Sequence, residues 1–345
     1  MKTKFKNIWE IFWQSLLLII ITAILLELAL GIVFRIKDRK LIDAEARDYP
    51  YLYFMLKQDD GYRNANGLKI FTSKEKPDNT YRIITSGGSV VYGQKPQESI
   101  AANLEQILQD SFPNTKIEVL NAGIPAYVIE QEFILIQLLL QYYEPDLIIS
   151  LDGYNDLITC EINRYYKSPD VLPPHNWRDF RYVRQQEKKK KLYGRFYGVF
   201  PNIYRLYDFA LRHSFDKKFE YSELSIHKET IAITYTNRVS DIQAFCYGKG
   251  IAYYHFLQPI QFSKPQNERE TQLLEIYSCI DQNLSQLPYS NSLLGIFNSS
   301  NSIYTDECHV NAVGNQIFAR SIVPFIYPTV HKAIDQSICI DSIVD

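Results

Sequence analysis

From about residue 81 onward, short apolar runs alternate with longer stretches in which apolar residues recur at helical spacing. The apolar runs are rich in β-branched residues and predict buried strands at 81–86, 116–120, 146–151 and 251–257. The periodic stretches predict helices near 99–111, 129–142, 222–249 and 268–287. Strands that alternate with helices are joined by right-handed crossovers, so we predict an α/β fold with a central parallel sheet.

The amino-terminal segment has a different pattern, because residues 8–34 are almost continuously apolar. About 20 apolar residues are enough to cross a bilayer, and Trp9 and Trp13 near one end suit the membrane interface. Glu27 interrupts the run and is tolerable near the far headgroup side. We therefore predict one transmembrane signal anchor at 8–34, preceded by a short cytoplasmic tail at 1–7.

The positive-inside rule gives no orientation for this anchor, because lysines and arginines flank the apolar run at both ends. A very short basic tail ahead of an uncleaved anchor favours a cytoplasmic amino terminus and an extracytoplasmic domain. The alternative is a cleaved signal peptide, for which Ala29-Leu30-Gly31 is a passable small-x-small site. The length of the apolar run favours retention of the helix.

Two segments do not follow the alternation of strands and helices. Residues 35–79 are polar and rich in tyrosine, and we expect them to link the anchor to a domain at 80–345. An insertion at about 160–226 is rich in aromatic and basic residues, with four consecutive lysines at 188–191. It is expected to cover a site as a lid, to touch anionic headgroups, or to form a solvated helical excursion.

Composition argues against several function classes. A formal net charge of -2, without a zinc-finger or helix-turn-helix signature, gives no reason to expect a nucleic-acid partner. Five cysteines are widely scattered, and none has the spacing of a metal site: Cys160, Cys246, Cys279, Cys308 and Cys339. We expect neither a metal nor an organic cofactor.

The first predicted strand ends in a tight turn that carries a serine, Gly87-Gly88-Ser89. Glycine tolerates backbone angles and close approaches that a Cβ forbids, so a strand can stop abruptly here. Ser89 is then placed at the carboxyl end of a strand, which is the edge where ligands bind in open α/β sheets. Since a serine in such a turn is often only a helix cap, its interpretation as a nucleophile depends on the rest of the chain.

A serine nucleophile needs an imidazole to accept its proton and a third group to orient that imidazole. Among six histidines, His309 has a carboxylate at suggestive spacing, Asp306, in the loop before a closing helix that Asn311 could cap. His255 lies inside an apolar strand and is interpreted as a satisfied core residue. Cys308 is interpreted as a passive buried thiol.

Two further loops follow predicted strands and offer hydrogen-bond donors. Gly123 comes after the strand at 116–120, and Asn155 comes after the strand at 146–151. A free backbone N–H at a small residue and an asparagine amide are the donors that a tetrahedral oxyanion requires. The sequence therefore predicts an oxyanion site at these two loops.

These four blocks, in this order, resemble the SGNH (GDSL-type) hydrolases over about residues 81–327. The resemblance implies a three-layer α/β/α sandwich of the SGNH, flavodoxin-like type. It further implies that Ser89 is the nucleophile, that Asp306 orients His309 as the base, and that the Ser89 amide joins Gly123 and Asn155 as oxyanion donors.

The chain departs from this family at Gly88, where its best-known members have aspartate before the serine. Some membrane-associated relatives look similar, so we interpret the glycine as a feature of a subgroup. The departure leaves the nucleophile assignment intact and removes any role for the extra carboxylate.

The sequence thus predicts a membrane-anchored serine hydrolase that acts on an ester in an acylated envelope carbohydrate or lipid. One alternative is O-acyl transfer by the same residues, because a sugar hydroxyl can intercept an acyl-serine in place of water. Another is a non-catalytic envelope-binding or assembly protein that keeps the fold as a scaffold.

Overall fold

The computed structural model of the chain describes residues 2–38, 46–49, 53–56, 68–70, 72–93, 95–165, 200–203, 206, 227–261, 265–297 and 302–344. The chain divides into two compact units, one from Met1–Ala46 with Trp177–Phe219 and one from Arg47–Asn176 with Glu220–Asp345. The second unit thus includes part of the segment that the sequence assigns to the linker at 35–79. Most of the insertion predicted at 160–226 lies outside the described residues.

The first unit is built on helix α1 (Lys2–Asp38). Its stretch Trp9–Val33 has a mean hydropathy of 2.9, and apolar side chains are exposed over most of its surface. The part of the chain that the structure describes therefore contains one helix long and apolar enough to cross a membrane. Trp9, Phe12 and Trp13 pack their rings together near its amino-terminal end, an arrangement typical of residues at a membrane interface.

Beyond helix α1, the described residues form two sheets. The smaller sheet pairs β1 (Ala46–Tyr49) with β2 (Tyr53–Leu56). The larger sheet is parallel throughout and consists of β3 (Thr80–Gly87), β4 (Lys116–Asn121), β5 (Leu147–Asp152), β6 (Ala252–Leu257) and β7 (Ser290–Ser292). Its strand order is β4-β3-β5-β6-β7, so the chain first moves to one side of β3 and then to the other. In such sheets, ligands bind beyond the carboxyl ends of the strands where the direction switches, here β3 and β5.

Helices cover both faces of the larger sheet. They are α2 (Ser89–Tyr92), α3 (Ile100–Ser111), α4 (Ile129–Leu138), α5 (Tyr154–Tyr165), α6 (Lys228–Gly248), α7 (Glu268–Leu284) and α8 (Ala312–Val344). One apolar layer lies between the sheet and α4, α6 and α7, and the other lies between the sheet and α3 and α8. Because side chains alternate along a strand, Ile84 joins the first layer and Ile83 the second. The predicted three-layer α/β/α sandwich with a parallel sheet is confirmed.

The edge strand β7 is a strand that the hydrophobic pattern does not predict. Its sequence is Ser-Asn-Ser, which has neither the apolar alternation nor the β-branched residues of a strand. The apolar run at 293–297 follows it directly and buries Leu293 and Phe297 in the layer under α8. A very short polar edge strand suits the rim of a sheet, because it offers little to pair with another chain.

A buried ion pair ties β3 to its neighbours. Arg82, fully buried, donates from Nε and Nη2 to Glu118 Oε2 in β4 at 3.0 and 2.8 Å. Its Nη1 donates to the carbonyl oxygens of Tyr143 at 2.6 Å and Lys74 at 2.8 Å. The guanidinium therefore joins two strands and two connecting segments, and its removal would leave several buried acceptors without a donor.

We expect Arg82→Leu to lower the free energy of unfolding by ~3–5 kcal/mol, because breaking a buried ion pair leaves its partner uncompensated. Denaturant unfolding of the full-length chain in detergent measures the change. The matched control is Lys116→Leu, since Lys116 contacts the same Glu118 at 2.6 Å but has a side chain that is 57% exposed. This control should cost no more than ~1 kcal/mol, and an equally small loss for Arg82→Leu would contradict the prediction.

Candidate active site

The turn after β3 presents a serine at the start of a short helix. A Cβ on Gly87 would lie 2.4 Å from the carbonyl oxygen of Leu151 in β5, so only glycine lets the strands run this close. The N-cap of α2 is Gly88, which offers no side-chain cap, and Ser89 is the first helical residue. Ser89 is therefore not the cap of this helix, and its hydroxyl bonds elsewhere.

The structure brings Ser89, His309 and Asp306 together. Ser89 Oγ lies 2.6 Å from His309 Nε2, and Asp306 Oδ2 lies 2.7 Å from His309 Nδ1. Both distances are those of hydrogen bonds, and they form one chain from carboxylate to imidazole to hydroxyl. This is the geometry in which a carboxylate fixes the tautomer of an imidazole and the imidazole accepts a hydroxyl proton.

Asp306 is held in this arrangement by its own loop. Its second oxygen, Oδ1, accepts hydrogen bonds from the backbone N–H groups of Cys308 at 3.0 Å and His309 at 2.8 Å. Partial burial alone would raise the pKa of this carboxyl, but the two N–H groups and the imidazole outweigh it and lower the pKa below its ordinary value. Asp306 is therefore ionised at neutral pH.

Asn155 lies against the serine turn. Its Nδ2 donates to the carbonyl oxygen of Tyr127 at 2.8 Å, which uses one of the two amide hydrogens. A Cβ on Gly88 would be only 2.2 Å from that Nδ2. A side chain at position 88 would therefore have to displace the amide of Asn155 from its present place.

Gly123 differs from the expectation of a free backbone N–H. Its N–H donates to Asn121 Oδ1 at 3.0 Å, because the asparagine side chain bends over its own backbone two residues on. The same side chain donates from Nδ2 to the carbonyl oxygen of Val91 at 2.9 Å, in the serine helix. Gly123 therefore belongs to the wall of the site, with its N–H already bonded.

Comparison with solved structures finds similar folds at low sequence identity. They include LAE5, an α/β hydrolase from the metagenome of Lake Arreo, at 12% identity and a TM-score of 0.43. They also include Axe2, an acetylxylan esterase from Geobacillus stearothermophilus, at 13% and 0.44, and a GDSL-like protein from Parabacteroides merdae ATCC 43184 at 11% and 0.42. Each match covers 71% of this chain and 94% of the other chain.

No protein-family profile and no curated protein matches the sequence. Similarity at this level gives neither a substrate nor a mechanism for this chain. What this chain can catalyse must therefore be inferred from its own residues.

A second network links the loop of Asn155 to the loop of His309. Tyr154 donates its hydroxyl to Glu307 Oε2 at 2.6 Å, and Arg269 at the start of α7 donates to Glu307 Oε1 at 3.2 Å. Since Tyr154 precedes Asn155 and Glu307 follows Asp306, these contacts fix two functional loops relative to each other. Sequence reasoning missed this link, because nothing in the spacing of the three residues signals it.

Lys69 holds the other end of the serine helix. Its Nζ donates to the carbonyl oxygens of Tyr92 at 3.0 Å and Gly93 at 2.8 Å, and it lies 3.8 Å from the centre of the Tyr92 ring. A cation is favourable at these carbonyls, because the last carbonyls of a helix have no partner within it. A residue from the predicted linker thus supports the turn that carries Ser89.

A group of buried acids lies beneath the loop of Asn155. Ser86 donates to Glu132 Oε2 at 3.1 Å, and Asp156 Oδ1 accepts the N–H of Ile129 at 3.1 Å. Asp152, the third acid, is the last residue of β5. Burial first, and then the charges of Asp152 and Asp156, raise the pKa of Glu132 well above its ordinary value. Burial and the charge of Asp152 likewise raise the pKa of Asp156. This environment favours the neutral, protonated form of Glu132.

His255 is fully buried beside this group and is fully partnered. Its Nδ1 lies 2.8 Å from Ser290 Oγ, and its Nε2 lies 2.9 Å from the Tyr235 hydroxyl and 3.3 Å from Asp152 Oδ1. The Tyr235 hydroxyl also donates to Asp152. These contacts make His255 a core residue that joins β5, β6 and β7, as the sequence interpretation has it.

Cys308 is buried beside His309, and burial raises the pKa of its thiol, so it remains protonated at neutral pH. Within the described residues, Asp306, Cys308 and His309 are a group whose ligand atoms lie close enough to share a metal ion, within 4.8 Å of one another. Two of these atoms already bond each other, and a protonated thiol is a poor ligand. The arrangement suits proton transfer to and from Ser89 better than metal binding.

We expect Glu132→Gln to be more stable than the wild-type protein, by an amount that grows as the pH rises. The folded chain keeps a proton on Glu132 that the unfolded chain releases near pH ~4.3, so the wild-type free energy of unfolding falls as the pH rises from there towards the raised pKa. Glutamine does not titrate and removes this loss. Denaturant unfolding of both proteins across a pH series measures it.

The control for this experiment is Glu268→Gln, which changes an exposed carboxylate at the start of α7. Its unfolding free energy should follow the wild-type curve at every pH. If the free energy of unfolding of Glu132→Gln also followed the wild-type curve at every pH, Glu132 would not be a buried neutral acid.

Proposed function

We propose that the protein is a serine-dependent ester hydrolase that works through an acyl-serine intermediate. The observation that carries this proposal is the continuous chain of hydrogen bonds from Asp306 through His309 to Ser89, with distances of 2.7 and 2.6 Å. A serine hydroxyl alone is a weak nucleophile, and an oriented imidazole at this distance is what activates it.

In the proposed reaction, Ser89 Oγ attacks the acyl carbon while His309 Nε2 takes the hydroxyl proton. Asp306 stabilises the imidazolium that forms and keeps it in place. His309 then gives the proton to the leaving alcohol, which departs and leaves an acyl-serine. A water molecule attacks this ester, loses a proton to His309, and releases the acid, after which the proton returns to Ser89.

The developing oxyanion is proposed to bind next to the serine turn. Ser89, as the first residue of α2, has a backbone N–H without a partner inside the helix, and Asn155 Nδ2 has a second hydrogen besides the one given to Tyr127. We assign Gly123 as a third donor, whose N–H must first leave Asn121 Oδ1. Such donors stabilise the transition state because they are in place before charge develops.

The substrate class follows from the proposed attachment to a membrane. We propose that Trp9–Val33 spans the bilayer once and that the second unit lies on its extracytoplasmic side. The esters within reach of an anchored enzyme on that side are acylated envelope carbohydrates and lipids. The proposed steps use only side chains and backbone groups of this chain.

We expect a fluorophosphonate probe to label the wild-type protein and not Ser89→Ala, because the probe reacts with a serine that an imidazole has activated. Intact-protein mass spectrometry of the full-length chain in detergent reads the adduct. The control is Ser111→Ala, an exposed serine in α3 that should leave labelling unchanged. A folded wild-type protein that takes up no probe would favour a non-catalytic scaffold.

We expect Asn155→Ala to lower kcat on a short-chain ester by ~100-fold or more, since it removes an oxyanion donor. KM should change much less, because the lost interaction belongs to the transition state. Asn283→Ala in α7 is the control and should keep full activity. Unchanged turnover in Asn155→Ala would remove this residue from the oxyanion site.

Product analysis in the same assay separates hydrolysis from acyl transfer. The side chain of His309 is 39% exposed, which leaves water a path to the base, so we expect free acid as the main product. If a sugar acceptor is added and a new ester replaces the acid, the protein is an acyltransferase with the same acyl-serine.

A further inference from the structure

A carboxylate lies within the apolar part of α1. Glu27 is six residues before the end of Trp9–Val33, which places it about 9 Å along the helix axis from that end. A carboxylate at such a depth in a membrane is costly unless other groups satisfy it. Glu27 therefore needs hydrogen-bond donors close by.

Two adjacent residues from a distant part of the same unit supply these donors. Glu27 Oε1 accepts the backbone N–H of Asn202 and its side-chain amide, both at 2.7 Å. Glu27 Oε2 accepts the backbone N–H of Ile203 at 2.8 Å. Both carboxylate oxygens are thus bonded, and all three donors are uncharged.

The helix also has a gap that accommodates Asn202. Gly31 lies one turn after Glu27 on the same face, and a Cβ there would be 3.2 Å from Asn202 Nδ2. A larger residue would crowd the amide that bonds Glu27. The partly buried residues of this stretch lie on the same face of the helix. They are Leu16, Ala23, Glu27, Leu30 and Gly31.

We propose that Glu27 and Gly31 form a docking site in the membrane-spanning helix for residues 200–203 of the same chain. The docked segment then lies at membrane depth, and the helix is a folded part of the mature protein. Cleavage after Gly31, as a signal peptide would require, would remove the acceptor that these residues bind. The proposal rests on the membrane span proposed above and is independent of the ester chemistry.

Cysteine cross-linking of the full-length protein in native membranes tests the contact. In Gly31→Cys with Asn202→Cys, oxidation should join the two positions, because the Cβ of residue 31 would be 3.9 Å from the Cγ of Asn202 and the cysteines can reach each other. Tryptic digestion and mass spectrometry identify the joined peptides without replacing any natural cysteine. The control pair is Leu28→Cys with Asn202→Cys, since Leu28 is 61% exposed and outside the covered face.

The contribution of Glu27 is tested in the same background. Adding Glu27→Leu should reduce the rate of cross-linking by ~10-fold or more, because the group that accepts the hydrogen bonds of Asn202 and Ile203 is lost. Adding Glu10→Leu, an exposed acid near the other end of the helix, should leave the rate unchanged.

Three results would overturn the proposal. If the full-length chain cross-links positions 31 and 202 no faster than positions 28 and 202, the docking site is excluded but the membrane span is not. Equal rates with and without Glu27→Leu exclude the role of the carboxylate. A mature protein that begins after Gly31 excludes the membrane span as well. Esterase activity, measured on the same preparation, can be present or absent in each case, so failure of the ester chemistry remains distinguishable.

Discussion

One hydrogen bond, from Ser89 to the imidazole of His309, joins residues that are 220 positions apart in the sequence. It can form only if the first strand of the large sheet and the loop before the last helix meet at the same edge. The strand order provides this meeting, because β3 and β5 adjoin at the point where the chain changes direction across the sheet. The site therefore depends on the topology of the whole second unit and not on any local motif.

Around that bond, close packing limits which residues can stand at several positions. Gly87 lets β3 pass close to β5, and Gly88 leaves room for the amide of Asn155. Lys69 bonds the end of the helix that begins at Ser89, and Glu307 bonds Tyr154 and so holds the loop of His309. In the proposed reaction this rigidity matters, because small displacements between a nucleophile and its base lower the rate steeply.

Much of the fold could be predicted from the sequence because its signals are local. The β-branched runs became buried strands, and the alternation of strands and helices gave the parallel sheet. The edge strand β7 could not be predicted, since three polar residues carry no periodic signal. The bonded N–H of Gly123 also escaped prediction, because it depends on the rotamer that Asn121 adopts against the serine helix.

The candidate site also has some residues that the sequence indicates and others that it does not. The sequence indicates Ser89, Asp306, His309 and Asn155 as candidates because each follows a strand or precedes a helix in a pattern that suits acyl chemistry. The burial of Glu132 could not be predicted, because a glutamate in the first turn of a helix is ordinarily solvated and nothing in the sequence marks this one as buried. Contacts between elements that are far apart in sequence decide such features, and only coordinates reveal them.

The central claim is that Ser89 carries the acyl group during turnover. The most direct measurement mixes the full-length protein with an activated acetyl ester, quenches the reaction in acid within the first turnover, and locates the acetyl group by fragment-ion mass spectrometry. The account predicts an acetyl ester on Ser89 that accumulates before free acid appears. Acetylation of another residue, or turnover that continues in Ser89→Ala, would contradict it.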